Sequence, residues 1–223
     1  MHKVDCRDDM LVYRWGSSNN NLLNLIQGTY LGVVMDTVYH GTTEKDAFDI
    51  LQSGIKIKLI NFSSLTTMVN DLGCGFYTYC KDDRNCYDPK KNASRYVRAY
   101  KNNVSTKFKV LELSISETNS SGKNVAVLDL DDEEEKEKFI KMREQLDYKI
   151  QSKLNKIKDS GAKRRNNQDG LFLEYMFENK IFPNTDIVVK ETFTDFTKTR
   201  ISNFTNGREL VIRNKDFVKN IKY

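Results

Sequence analysis

Tyr39-His40-Gly41-Thr42-Thr43 decides how this chain is read. Ahead of it, the β-branched run Leu31 to Tyr39 (LGVVMDTVY) predicts a strand. Behind it, Thr43 predicts the cap of a helix through Asp46 to Leu51, with Gly54 as its left-handed stop. His40 is thereby placed at a strand end, where a side chain can project into a cleft. Gly41 has no Cβ, so a ligand can approach its backbone N–H and C=O. The chain has two histidines, and the other, His2, belongs to the first few residues. That census excludes His-rich metal sites and makes any Ser-His-Asp or Cys-His chemistry depend on His40.

Further along the chain, Asp71-Leu72-Gly73-Cys74-Gly75-Phe76-Tyr77 reads as a tight turn entering a strand, Gly75 to Cys80. The turn delivers Tyr77 to one face of that strand, and Tyr79 shares the face by the period of two. It is no dinucleotide fingerprint, because the third glycine is missing and a strand follows instead of a helix. Asp88-Pro89 opens a helix over Asn92 to Tyr100. Phe108 to Ile115 alternates apolar and polar residues as a half-buried strand does, and Val125 to Leu130 is read as its pairing partner. Lys56 to Leu72 is read as a loop with one short strand, and Asn19 to Gln27 as a short helix.

The clearest helix runs from Asp132 to Asp159. Phe139, Met142, Leu146, Ile150, Leu154 and Ile157 form one apolar stripe, and the acids at its start suit the macrodipole. A shorter helix is predicted over Asp169 to Asn179, then strands over Asp186 to Thr192 and Glu209 to Arg213. In the last of these, Asn206-Gly207-Arg208-Glu209-Leu210-Val211-Ile212 puts a carboxylate at the head of an apolar strand. This order lacks the strict alternation of a doubly wound sheet and predicts an α+β fold.

With 223 residues the chain is read as a single domain, residues 1–30 being an N-terminal extension and 132–163 a helical insertion. The 36 Lys and Arg against 31 Asp and Glu leave a charge of +5. That permits an anionic ligand but falls short of the basic excess of a dedicated DNA-binder. Cys6, Cys74, Cys80 and Cys86 lack a close C-x2-C pair, so no structural zinc is expected and reduced thiols are the plainer reading. The charged opening MHKVDCRDDM does not read as a signal peptide, and no apolar run is long enough to span a bilayer. A cytoplasmic protein with no membrane contact is expected.

The ordered set Y-H-G-T-T, I-L-Q-S-G-I, D-x-G-x-G-F-Y and G-R-E-L-V-I resembles the ADP-ribosyltransferase fold. The likeness is to its diphtheria-toxin and poly(ADP-ribose) polymerase branch, and it spans residues 39 to 213. It implies split central β-sheets flanked by helices, and a His-Tyr-Glu set of catalytic residues: His40, Tyr77 and Glu209. It further implies that NAD is the substrate and that no metal is used. By the same resemblance, His40 would hydrogen-bond the adenine-proximal ribose, and Gly41 would meet the nicotinamide carboxamide. Tyr77 would stack on the nicotinamide ring, with Tyr96, from the stretch Lys91 to Tyr96 (KNASRY), as the second stacking aromatic. Glu209 would bind the nicotinamide ribose and stabilise the developing cation. Thr42 and Gly75 complete the implied NAD-binding set.

Gly207 stands where the arginine-modifying branch carries Glu or Gln, which disfavours that chemistry. Chain extension in the polymerases relies on a longer helical regulatory domain that these residues do not show, so the resemblance implies a mono-ADP-ribosyltransferase. The implied acceptor is a macromolecule, protein by default. RNA or DNA is an alternative because Phe193, Phe196 and Phe204 interleave with Lys198, Arg200 and Arg208, and Lys163, Arg164 and Arg165 add charge. An intracellular toxin or conflict effector, delivered into a target cell and neutralised by an antitoxin or immunity protein, is the biological setting that the resemblance implies. The competing readings are a tRNA 2′-phosphotransferase-like enzyme, a non-catalytic NAD- or ADP-ribose-binding domain, and a cysteine hydrolase pairing Cys80 or Cys74 with His40.

Overall fold

The computed structural model describes residues 37–81, 87–158, 167–198 and 202–223. The predicted helix at 19–27, the extension 1–30 and the basic triplet 163–165 lie outside them. Within them, strand β1 (Thr37–Thr43) leads into helix α1 (Glu44–Ser53). Thr43 caps α1 by accepting from the Asp46 N–H, and Gly54 ends it with φ 74°. His40 is therefore in mid-strand, not at a strand end, because β1 continues up to its own helix cap.

The loop that follows holds one 3-10 turn, Phe62–Ser64, and no full strand. Strand β2 (Phe76–Cys80) precedes helix α2 (Pro89–Tyr100), whose cap is Asp88 with Pro89 in the first turn. Strands β3 (Phe108–Ile115) and β4 (Val127–Asp129) lead to helix α3 (Glu133–Leu154), capped by Asp132. Helix α4 (Asp169–Glu178), β5 (Ile187–Thr192), β6 (Gly207–Ile212) and β7 (Val218–Lys222) complete the order.

The fold is α+β. The strands make one mixed seven-stranded sheet in the order β4-β5-β6-β2-β1-β3-β7. The segment read as a partner of β3 pairs in parallel with β5 instead, Leu128 facing Val188. A hairpin to β3 would have needed only a local turn; the real partner lies about sixty residues on. The C-terminal strand β7, on an edge beside β3, was not expected, since VKNIK carries little alternation and buries little.

The sheet is continuous, yet it is narrow at one joint. β1 pairs with β3 along its whole length, Thr37 with Ser114 through Thr43 with Phe108. With β2 it pairs only at Val38–Cys80 and Tyr39–Tyr79. The implied pair of separate sheets is thus a single sheet, and its two parts meet over two residue pairs. Apolar clusters cover both faces. One holds α3 and α4 with Leu65, Leu72, Val188 and Val211, and the other holds Ala47 and Ile55 with Val38, Leu111, Leu210 and Ile212. Of the stripe predicted on α3, Phe139, Leu146 and Ile150 are buried, which places that helix over the first cluster.

Candidate functional site

The candidate residues lie around the point where β1 and β2 part. Beyond Tyr39 the backbone ladder stops, and a side chain bridges the strands in its place: His40 Nδ1 donates to the Tyr77 carbonyl at 2.7 Å. Burial pushes the His40 pKa down to about 4, the bond to Tyr77 opposing this only in part. The imidazole is therefore neutral at pH 7. With Nδ1–H committed to Tyr77, its Nε2 is left as an acceptor.

Gly41 lies under α2. Any Cβ there would run into the carbonyl oxygen of Ala93, so only glycine lets the helix approach this closely. Thr42 is buried, and its hydroxyl donates to Asp46 at 3.3 Å, tying it to the β1–α1 junction.

Tyr77 is held by the turn that precedes it. Its hydroxyl donates to the Gly73 carbonyl at 2.9 Å and accepts from the Leu72 N–H at 3.0 Å. Gly73 adopts φ 81°, a left-handed conformation that a side chain would strain. The same turn is clamped by a buried ion pair. Arg213 Nη1 donates to Glu174 Oε1 at 2.6 Å and to the Cys74 carbonyl at 2.8 Å, while Glu174 accepts from the Cys74 N–H at 2.7 Å. Gly75, just before β2, lies so close to β6 that a Cβ would meet the Val211 side chain.

Glu209 sits opposite Tyr79 across the β2–β6 ladder and accepts from the Thr194 hydroxyl at 3.3 Å. Tyr79 shares that hydroxyl at 3.0 Å. Burial first and the Glu209 charge second push the pKa values of both Tyr77 and Tyr79 far up, so both phenols stay protonated beside one carboxylate. Tyr96, on the second turn of α2, adds to the shift on Tyr79 and packs its ring 5.0 Å from that of Tyr100.

Tyr77, Tyr79, Tyr96 and Glu209 thus gather on the α2 side of the sheet. The His40 ring stands on the other side of β2, its centroid 4.3 Å from that of Phe76. His40 therefore stands on the opposite face of the sheet from Tyr77 and Glu209, tied to them by its bond to the Tyr77 carbonyl where the β1–β2 ladder stops.

Three features went unread in the sequence. Tyr79 was placed on the face of Tyr77 by its period, but its partner Glu209 is set by register between strands far apart in sequence. The Glu174–Arg213 pair joins residues that local patterns treat as separate. Arg208, expected among the cations that would meet an acceptor, is the third. It is buried at 4% exposure, donating to Asp129 at 2.5 Å, with Asp131 at 3.4 Å. Its neighbours in the β5–β6 connection differ: Phe204 is 84% exposed and Lys198 is exposed, while Arg200 lies outside the described residues.

Among the described residues, no group of three or more His, Cys, Asp and Glu side chains could hold a metal ion. No helix among them is long and apolar enough to cross a membrane. Burial and the Glu174 charge raise the Cys74 pKa, which keeps its thiol protonated and speaks against a nucleophilic role. An open groove of about 580 Å³, lined by residues that include Ile55, Lys56, Leu59 and Lys215, lies beyond the C-terminal end of β6. Comparison of the chain with protein-family models, with curated proteins and with solved structures finds no match.

Proposed function

We propose that this protein is a mono-ADP-ribosyltransferase that takes NAD as substrate and uses Glu209 as its principal catalytic group. The observation that carries the reading is the placement of Glu209 among Tyr77, Tyr79 and Thr194, on the strand next to β2, whose Tyr77 carbonyl accepts from His40.

Cleaving the nicotinamide–ribose bond leaves positive charge on the sugar, as in glycoside hydrolysis. A carboxylate oriented in advance and screened from water stabilises that charge most. Thr194 supplies the orientation, since its hydroxyl donates to Glu209 Oε1 and fixes that oxygen. Tyr77 and Tyr96, both half-buried, are the rings that the resemblance would stack on a cationic pyridinium. Neutral His40 suits a hydrogen-bond acceptor for a ribose hydroxyl and does not suit a general base, because its pKa lies well below neutrality. Gly41 contributes backbone groups at the edge that β2 leaves unpaired.

Nicotinamide release from NAD tests the reading. The wild-type protein is expected to release it, and Glu209→Gln to reduce the rate on the order of 100- to 1000-fold with the thermal midpoint little changed. Equal rates for the two proteins would remove Glu209 from this role.

A further inference from the structure

Helix α2 and the β5–β6 connection lie side by side along the helix's length. At its start, the Tyr87 hydroxyl donates to the Thr205 carbonyl at 2.6 Å, and Asn92 Nδ2 donates to the Asn206 carbonyl at 2.8 Å. In its middle, the Arg95 guanidinium stands 4.2 Å over the Phe196 ring. At its end, the Tyr100 hydroxyl donates to the Asp195 carbonyl at 2.6 Å, and Lys198 Nζ lies 5.4 Å over the Tyr100 ring.

The ridge they build is basic. Lys90, Lys91, Arg95 and Arg98 are exposed on α2, and the helix contains no acidic residue. None of these four takes part in an ion pair among the described residues. The carboxylates beside them are already engaged: Asp88 accepts from the Lys91 N–H, and Asp195 accepts from the N–H and hydroxyl of Thr197. The ridge is also aromatic, with Tyr100 at 39% exposure and Phe204 at 84%. Thr194, in the same connection, holds Glu209.

From this arrangement we infer that the acceptor of the ADP-ribosyl group is a single-stranded nucleic acid laid along the α2 ridge, an inference that rests on the transferase reading. Phosphates match a run of cations that form no ion pair among the described residues, and bases stack on exposed rings whatever their sequence. An acidic peptide would engage the cations and leave the rings in water. In the transfer, the bond from the ribose anomeric carbon to the pyridinium nitrogen breaks, and its electron pair leaves with neutral nicotinamide. A lone pair on an oxygen or nitrogen of the nucleic acid forms the new bond, and the proton it displaces passes to solvent.

The test uses the full chain, labelled NAD, a mixed-sequence single-stranded RNA, the matching DNA and a protein lysate. Label on an oligonucleotide is the expected result. Binding of the oligonucleotide, read by fluorescence anisotropy, weakens roughly tenfold or more when salt rises fourfold. Lys91→Gln/Arg95→Gln/Arg98→Gln lowers the slope of log affinity against log salt by about 2. The same variant leaves NAD hydrolysis by water unchanged, because these side chains lie outside the Glu209 cluster. NAD cleavage with label only on protein overturns the inference and spares the transferase. Salt-dependent oligonucleotide binding without any NAD cleavage keeps the ridge as a nucleic-acid surface and overturns the transfer. No oligonucleotide binding overturns the inference outright.

Discussion

Tyr79 and Glu209 face one another across the β2–β6 ladder, and the Thr194 hydroxyl lies within hydrogen-bond reach of both. Tyr79 is therefore a positioning residue for the carboxylate. In Tyr79→Phe, Thr194 keeps Glu209 as a partner, so little stability is lost, within about 1 kcal/mol. The turnover of NAD is expected to fall by roughly tenfold with KM unchanged, since the carboxylate is oriented less well only when charge develops. Steady-state kinetics separate this from a purely structural role, which would lower the midpoint and leave kcat per folded molecule intact.

His40 gives the protein an acid limb of known sign. In the unfolded chain the imidazole takes its proton near pH 6.5, and in the folded protein only near 4. Between these values the unfolded state binds more protons, so stability falls as pH drops from 6.5 to 4, by on the order of 3 kcal/mol. Above 6.5 this group contributes no pH dependence. Urea unfolding across that window is expected to show a shallower decline in His40→Gln than in the wild type. Parallel curves would contradict the burial assigned to His40.

Glu174 and Arg213 are 3% and 7% exposed as side chains, and removing one partner leaves the other charged and buried. Glu174→Ala is expected to cost about 3–5 kcal/mol, and Glu174→Leu/Arg213→Met to recover much of it. Denaturant unfolding reads both. Because the pair also holds Cys74, the double variant is expected to restore stability without restoring tight NAD binding.

Gly41→Ala drives a methyl group into the Ala93 carbonyl, a backbone atom that cannot rotate aside. The expected cost is about 1–3 kcal/mol, taken up as a shift of α2 that carries Tyr96 with it. Calorimetry gives the first effect, and a loss of NAD affinity beyond that of Tyr96→Leu gives the second.

What could be read from the sequence was mostly what neighbouring residues decide. The Thr43 cap, the Gly54 stop and the alternation of Phe108–Ile115 are local signals, and each element stands where they put it. The glycine turn before Tyr77 was legible for the same reason. Pairings between distant segments were not. β4 was given to the wrong neighbour because three residues, Val127–Asp129, carry too little pattern to name a partner. Arg208 looked exposed because nothing nearby in sequence shows that Asp129 and Asp131 wait across β5. Of the candidate residues, the strands that carry His40, Tyr77 and Glu209 were legible, but the stop of the β1–β2 ladder after Tyr39 was not, since pairing between strands is set by distant segments.

The most direct measurement is the NMR spectrum of the protein titrated with a carba-NAD analogue whose glycosidic bond cannot break. Saturable shifts at His40, Gly41, Tyr77, Tyr96 and Glu209, with residues 53–59 and 215–216 unmoved, are the predicted result. Shifts confined to the groove beyond β6, or no saturable shift at any concentration, would contradict a dinucleotide site at the parting of β1 and β2.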